Sequence, residues 1–269
     1  MPSSRSLEAS PVLNPTARLA ALFAEARRPV VFTGAGVSTA SGIPDFRSPG
    51  GMWARYAAGD IDYPSFIGGP AGRRKYWALS RELYPLIRAA RPSAAHRALV
   101  ELYRMGRLDC CITQNVDDLH QRAGLPEARV IELHGNATRA RCLSCGARYS
   151  RDEVHDWLQA SGADVPDCPS CGGIIKPTTV LFGEPMPRDA TEEAERRARQ
   201  SDLFVVVGSS LVVYPAAYMP AHAKQAGARL AVVNLTRTPY DGQADVVVPG
   251  EAGETLSAVV DAMVSSRSS

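Results

Sequence analysis

Three separated polar stretches hold the residue types and spacings that could do chemistry. Directly after an apolar run, TQNVDDLH (residues 113–120) sets Gln114, Asn115 and Asp117 where hydrogen bonds to ribose hydroxyls and to a carboxamide can form. Helix capping would account for Asn115 or Asp117 taken singly, and less well for the set. His134 follows a second apolar stretch, residues 130–133, and precedes Gly135. Its imidazole is the side chain best matched to proton transfer near neutral pH. His120 is ambiguous, while His96, His155 and His222 fall on helical or exposed segments.

The third stretch is GAGVSTASGIPDFR, residues 34–47. Gly34, Ala35 and Gly36 come after an apolar run, so their amides can approach a pyrophosphate at a helix start. A hydride-transfer fingerprint would place its third glycine at position 39, where the chain has Thr39, and the next glycine is Gly42. That departure argues against an ordinary dehydrogenase. Beyond it, Asp45, Phe46 and Arg47 form a loop in which the guanidinium can grip a phosphate or carboxylate and the ring can shield a reactive carbon from water. A decorated surface turn is the competing reading. Later strand ends add Gly208, Ser209 and Ser210, then Asn234, Leu235 and Thr236, and finally Val248, completing a nucleotide site.

Four of the six cysteines form two Cys-x-x-Cys knuckles, Cys142/Cys145 and Cys168/Cys171, each followed by a glycine. Four soft thiolates suit tetrahedral zinc and leave no position for water, so one structural Zn2+ is expected. Cys110 and Cys111 lie in an apolar run and read as small buried hydrophobes.

Elements that position these groups follow from periodicity. Apolar runs at 29–33, 110–113, 178–181, 203–207, 230–233 and 246–248 alternate with helix-like stretches, which predicts an α/β fold with a Rossmann-like parallel sheet covered on both faces. Two segments break the rhythm. Residues 50–91 carry aromatics and prolines without a good strand and read as a helical insertion, and residues 139–176 form the zinc-binding module. Segments 16–49, 92–138 and 177–264 then make one Rossmann-like, nucleotide-binding domain, with the two insertions as a small domain and flexible ends at 1–15 and 265–269.

With 269 residues and 45% hydrophobic content the chain can bury one large core and a satellite. Thirty basic against 28 acidic residues give a formal charge of +2, which calls for neither nucleic acid nor an anionic membrane as partner. No run is long enough for a membrane span or a secretory signal, so the chain reads as cytoplasmic. Composition leaves the oligomeric state unknown.

Taken together, GAGVSTASGIPDFR, TQNVDDLH, LHG, the paired knuckles, KPTTVLFGE and GSSLVVYPAA resemble the sirtuins, the NAD-dependent protein deacylases, in identity and order over residues 30–248. The resemblance implies NAD as co-substrate and acylated lysine of protein substrates as partner. It implies attack of the acyl amide oxygen on the nicotinamide ribose, release of nicotinamide, and His134 as general base. The products are deacylated lysine and acyl-ADP-ribose. Asn115 and Asp117 match the family's positions around the ribose, Ile43 the pocket wall, and Phe46 and Arg47 the covering loop. Phe182, Gly183 and Glu184, with Leu211, Val212 and Val213, match the segments that hold a substrate peptide as an added strand. Residues 73–78, 133–135 and 171–177 resemble the class II-like branch of mitochondrial lipoamidases and long-chain deacylases. The Tyr-x-x-Arg pair by which the desuccinylase branch grips acidic acyl groups has no match in residues 50–91, which argues against succinyl removal. Met52, Trp53, Tyr56, Tyr76 and Trp77 either line a channel, which predicts a preference for apolar acyl chains, or fill the small domain's core. Mono-ADP-ribosylation and a non-catalytic NAD-binding sensor are the alternatives; a pure binder would have no need for a base beside the ribose.

Overall fold

The computed structural model describes residues 14–44 and 62–266. Asp45, Phe46, Arg47, Met52, Trp53 and Tyr56 therefore lie outside the described residues.

Helix α1 (Pro15–Glu25) starts where the Asn14 side chain accepts from the Ala17 amide at 2.8 Å, with Pro15 in the first turn, where a missing amide hydrogen costs nothing. It leads into β1 (Pro29–Thr33), all five residues of which are buried. After two short 3-10 turns the described chain resumes with α2 (Tyr63–Gly68), α3 (Pro70–Ala89) and α4 (Ala94–Arg104). Then come β2 (Cys110–Thr113), α5 (Leu119–Ala123) and β3 (Val130–Glu132). Strands β4 (Arg139–Cys142) and β5 (Arg148–Ser150), helix α6 (Arg151–Ser161) and strand β6 (Ile175–Pro177) follow. The chain ends with α7 (Arg188–Gln200), β7 (Leu203–Val207), α8 (Met219–Gln225), β8 (Arg229–Asn234), β9 (Val246–Pro249) and α9 (Ala252–Ser265).

Six strands form one parallel sheet in the order β3-β2-β1-β7-β8-β9. Two β-α-β halves run outward in opposite directions from β1 and β7, the Rossmann arrangement, and a topological switch point falls between those strands. Strand residues alternate between two cores. Val31, Val205 and Val233 pack with α1, α4 and α9, whereas Phe32, Phe204 and Val232 pack with α7 and α8. Fully burying each such side chain contributes about 1.5–3 kcal/mol, which is why these strands are continuously apolar.

Residues 178–181 are not a strand, contrary to the sequence expectation. Strand β6 ends at Pro177 and belongs to a separate antiparallel sheet, β5-β4-β6. The run instead crosses back toward the large sheet, with the Thr178 amide donating to the Arg139 carbonyl and the Val180 amide to the His134 carbonyl. Leu181 is apolar because it packs in a third core with Phe66 and Trp77 of the helical insertion and Val154, Leu158 and Ile175 of the cysteine module. The two insertions thus share one core. Trp77 is wholly buried there and fills it, while Tyr76 reaches the cleft described below. Among the described residues no helix is long and apolar enough to cross a membrane.

Candidate active site

The switch point is built by glycines. Gly34 follows β1 and donates to the Val207 carbonyl at 3.1 Å, and the Gly36 amide donates to the Gly208 carbonyl at 2.9 Å. A Cβ on Gly36 would stand 2.8 Å from the Gly208 Cα, and Gly208 itself has φ 63°, so both positions need glycine. Two loops from the two halves of the sheet therefore touch at their backbones. This leaves a bare cradle that a diphosphate can approach.

Around the cradle lies a cleft of about 1240 Å3 running along the carboxyl ends of the strands and under the small domain. Gly34, Ala35, Gly36, Thr39, Ile43, Gln114, Asn115, Asp117, His134, Gly208, Ser209, Ser210, Asn234, Leu235 and Thr236 all line it. So do Phe182, Gly183, Glu184 and Val213. Val248 and Leu211 do not: their side chains pack into the two cores of the large domain. Val212 is exposed and also lies off the cleft wall.

Polar groups in the cleft are fixed by one another. Asn115 Nδ2 donates to the Gly34 carbonyl at 3.0 Å and to Ser38 Oγ at 3.1 Å. Ser38 Oγ in turn donates to Asp117 Oδ2 at 2.7 Å, while Asp117 Oδ1 accepts the Leu119 amide at 2.9 Å. Asp117 thus closes a tight turn ahead of α5 as a member of the site, while the cap position itself falls on Asp118, whose side chain makes no capping bond, so capping does not account for Asp117. Gln114 Nε2 donates to Ser209 Oγ at 2.8 Å, tying β2 to β7 across β1. Asn234 Nδ2 closes its own turn onto the Thr236 carbonyl at 2.8 Å.

His134 sits two residues past β3. Its Nδ1 donates to the Gln114 carbonyl at 3.1 Å, and its own carbonyl accepts from Val180 at 2.8 Å. With Nδ1 carrying the proton, Nε2 is the acceptor. Burial lowers the His134 pKa below its ordinary 6.5, and the Gln114 bond opposes this only in part. The ring is therefore a neutral base at physiological pH. Gly135 follows with φ 70°, in a position where a Cβ would collide with the Thr178 carbonyl.

At the other end of the small domain, Cys142, Cys145, Cys168 and Cys171 place their sulfurs within 4.8 Å of one another. Two of the separations are 3.6 Å (Cys142 to Cys171) and 3.7 Å (Cys145 to Cys168). Bonds of about 2.3 Å to tetrahedral zinc imply sulfur separations of about 3.8 Å, so the residues present fit that ion. Amides of Ser144 and Cys145 point at the Cys142 sulfur at 3.4 and 3.5 Å, with Gly146 and Gly172 at positive φ completing the two turns.

A family model described as the Sir2 family matches residues 34–215, well over half the chain. The chain belongs to the Sir2 family. Among curated relatives of this Sir2 chain, the NAD-dependent protein deacetylase of Rhodopseudomonas palustris is 44% identical over 243 residues, covering 90% of this chain and 95% of the relative. An NAD-dependent protein deacylase of Thermococcus kodakarensis is 44% identical over 241 residues, covering 88% and 91%. Among solved structures, one from work on the mechanism and regulation of Sir2 enzymes superposes with TM-score 0.84 at 42% identity, covering 94% of this chain and 99% of that one. A Sir2 structure with a p53 peptide and NAD+ has TM-score 0.81 at 38% identity, covering 91% and 96%.

Sequence reasoning about this Sir2 chain missed Ser38, which couples Asn115 to Asp117. It lies inside a motif already singled out, but a serine among small residues carries no signal of its own. A buried relay was missed too. His120 Nε2 lies 2.9 Å from Thr33 Oγ1, Thr33 Oγ1 donates to Thr113 Oγ1 at 2.9 Å, and Thr113 Oγ1 accepts the Asn115 amide at 3.0 Å. His96 packs against His120 in a tilted arrangement with centroids 4.8 Å apart.

Proposed function

We propose that this chain is an NAD-dependent protein lysine deacylase, acting on acetyl or longer acyl groups and giving nicotinamide and 2'-O-acyl-ADP-ribose. The observation that carries the reading is the neutral His134, its proton held on Nδ1 by Gln114, in the same cleft as the glycine cradle and the Asn115–Ser38–Asp117 set.

NAD, when bound, supplies an activated ribose carbon and a nicotinamide leaving group. Gly34, Ala35, Gly36, Thr39, Gly208, Ser209 and Ser210 would hold its phosphates and inner ribose, Asn234, Leu235 and Thr236 the adenosine end, and Ile43, Gln114, Asn115 and Asp117 the nicotinamide end. Asp45, Phe46 and Arg47 belong to the loop we assign to covering it. His134 takes a proton from a ribose hydroxyl at Nε2, and burial keeps that nitrogen unprotonated at neutral pH. Phe182, Gly183, Glu184 and Val213 line the same cleft, and we assign these segments, with Leu211 and Val212, to the substrate backbone. Glu184 is anchored by Lys176 at 2.8 Å in an almost fully buried ion pair, which steadies that wall. The relatives are named deacetylases and deacylases, and a solved Sir2 homologue is described as bound to acetylated peptide, which supports protein acyl-lysine as the substrate here.

Within the family we assign the chain to the class II-like branch, on residues 73–78, 133–135 and 171–177. The division into an NAD-binding domain (16–49, 92–138, 177–264), a helical insertion (50–91) and a zinc module (139–176) is proposed in the same sense. So are a cytoplasmic location and the lack of nucleic-acid or membrane partners. An assay with NAD and an acetyl-lysine peptide tests the reading. Equimolar nicotinamide, free lysine peptide and acyl-ADP-ribose are expected, and ADP-ribose left covalently on protein in their place would overturn it.

A further inference from the structure

Arg151 begins α6 and is 1% exposed, a position where a guanidinium needs partners. Its Nη2 donates to Ser80 Oγ at 2.8 Å, but Nη1 is buried and has no hydrogen-bond partner among the described residues. Its Cζ lies 4.7 Å from the ring centre of Trp77 and 4.4 Å from that of Tyr84, two residues a pair of turns apart on α3. Those faces orient the planar group and offer it no anion. Neighbouring carboxylates are engaged elsewhere. Asp152 takes the Tyr84 hydroxyl at 2.8 Å and Arg88 at 3.1 Å, and Glu184 takes Lys176 at 2.8 Å. Burial is the strongest influence on Arg151 and draws its pKa below the ordinary arginine value, as expected of a charge short of partners.

The same side chain lines the cleft that holds His134, alongside Leu79, Leu83 and Ile87 of α3 and Val116. Its amide donates to the Thr138 carbonyl at 2.8 Å, which fixes α6 to the loop that carries His134. Leu79, Leu83, Ile87 and Val116 give this part of the cleft apolar walls, and Arg151 adds to it a buried, incompletely paired guanidinium. Methylene groups suit the apolar walls, and a carboxylate suits the guanidinium. We propose that Arg151 makes the acyl subsite of this enzyme selective for acyl groups that end in a carboxylate. Residues 50–91 offer no Tyr-x-x-Arg pair for that purpose, and the guanidinium comes instead from the zinc module. The inference rests on the deacylase reading above.

Its test compares one peptide sequence carrying Nε-acetyl, Nε-pentanoyl or Nε-glutaryl lysine, with the full zinc-loaded chain and saturating NAD. Glutaryl and pentanoyl differ only by carboxylate against methyl at the tip. In the wild type kcat/KM for glutaryl should exceed that for pentanoyl by at least about tenfold, because a site with an unmet donor discriminates against a ligand lacking the acceptor. Arg151→Met should invert the ratio, and Arg151→Lys should retain only part of it. If neither variant folds, the wild-type ratio decides alone. Turnover of acetyl peptide with a glutaryl-to-pentanoyl ratio of one or less overturns the inference and leaves the deacylase reading standing. Failure of all three peptides overturns both.

Discussion

His134 Nδ1 donates to the main-chain carbonyl of Gln114 at 3.1 Å, so a backbone atom on one loop dictates which nitrogen of the base is free on the next. A carbonyl can only accept. The bond therefore excludes the tautomer in which Nδ1 would be the base, and burial lowers the pKa of the ring that remains.

The pH profile follows. Activity needs the neutral ring, so kcat/KM should be flat near pH 7 and fall on the acid side with an apparent pKa below 6.5. Initial rates from pH 5 to 8 check this. An acid limb centred at or above pH 7 would mean that some other group is titrating.

Ser38 is expected to matter more than its size suggests. Ser38→Ala removes an acceptor from Asn115 Nδ2 and a donor from Asp117 Oδ2, at a cost of about 1–3 kcal/mol for groups left short of partners. We expect kcat/KM for NAD to fall roughly 10- to 100-fold. Steady-state kinetics beside a melting curve separate loss of the site from loss of the fold. Wild-type kinetics would refute the coupling.

The glycine cradle gives a steric prediction. Gly36→Ala puts a methyl 2.8 Å from the Gly208 Cα, where the neighbour is backbone and cannot swing away. NAD affinity measured by calorimetry should drop at least about tenfold, with a stability loss on the order of 1–3 kcal/mol. Unchanged affinity would place the diphosphate elsewhere.

Two buried histidines should make the fold acid-sensitive. Burial draws His96 down to about 4 and His120 well below 6.5. In that window the unfolded chain binds more protons than the native one, so stability rises with pH between about 4 and 6.5 and is complete above it. Each histidine contributes a slope of up to about 1.4 kcal/mol per pH unit. His96→Asn keeps an acceptor for the Ser93 amide and should flatten the loss of Tm between pH 6.5 and 5. An identical slope in the variant would exclude this origin.

Zinc should be stoichiometric and structural. Natively purified protein is expected to carry one zinc per chain. Stripping it with a strong chelator should collapse the cysteine module, whose metal contributes on the order of 10 kcal/mol to local folding. Near-UV dichroism at Trp157, which meets Tyr149 edge to face with centroids 5.0 Å apart, would report the collapse. Metal-free protein with an unchanged spectrum would contradict it.

Strands β1, β2, β7 and β8 were legible because burial on both faces makes each a short apolar run ended by glycine or a polar cluster, and the edge strand β9, buried on alternate residues, was legible as a run of valines. Residues 178–181 share that composition for another reason: Leu181 packs in the small core while the backbone bonds to Arg139 and His134. Composition records burial but not pairing. The cleft residues at strand ends were legible because loop chemistry follows from sheet topology. Side-chain direction was not, which is why Leu211, next to the cleft residue Ser210 in sequence, and Val248, at the end of β9, turned out to pack in the core. Ser38 and Arg151 were invisible because their roles come from partners remote in sequence, Asp117 for one and α3 for the other.

His134→Ala assayed with NAD and an acetyl-lysine peptide is the most direct test of the account. Deacylated peptide should form about 10^2- to 10^4-fold more slowly, while NAD binding, zinc content and Tm stay near wild type. Deacylation at the wild-type rate by a folded, zinc-loaded variant would show that His134 is not the base.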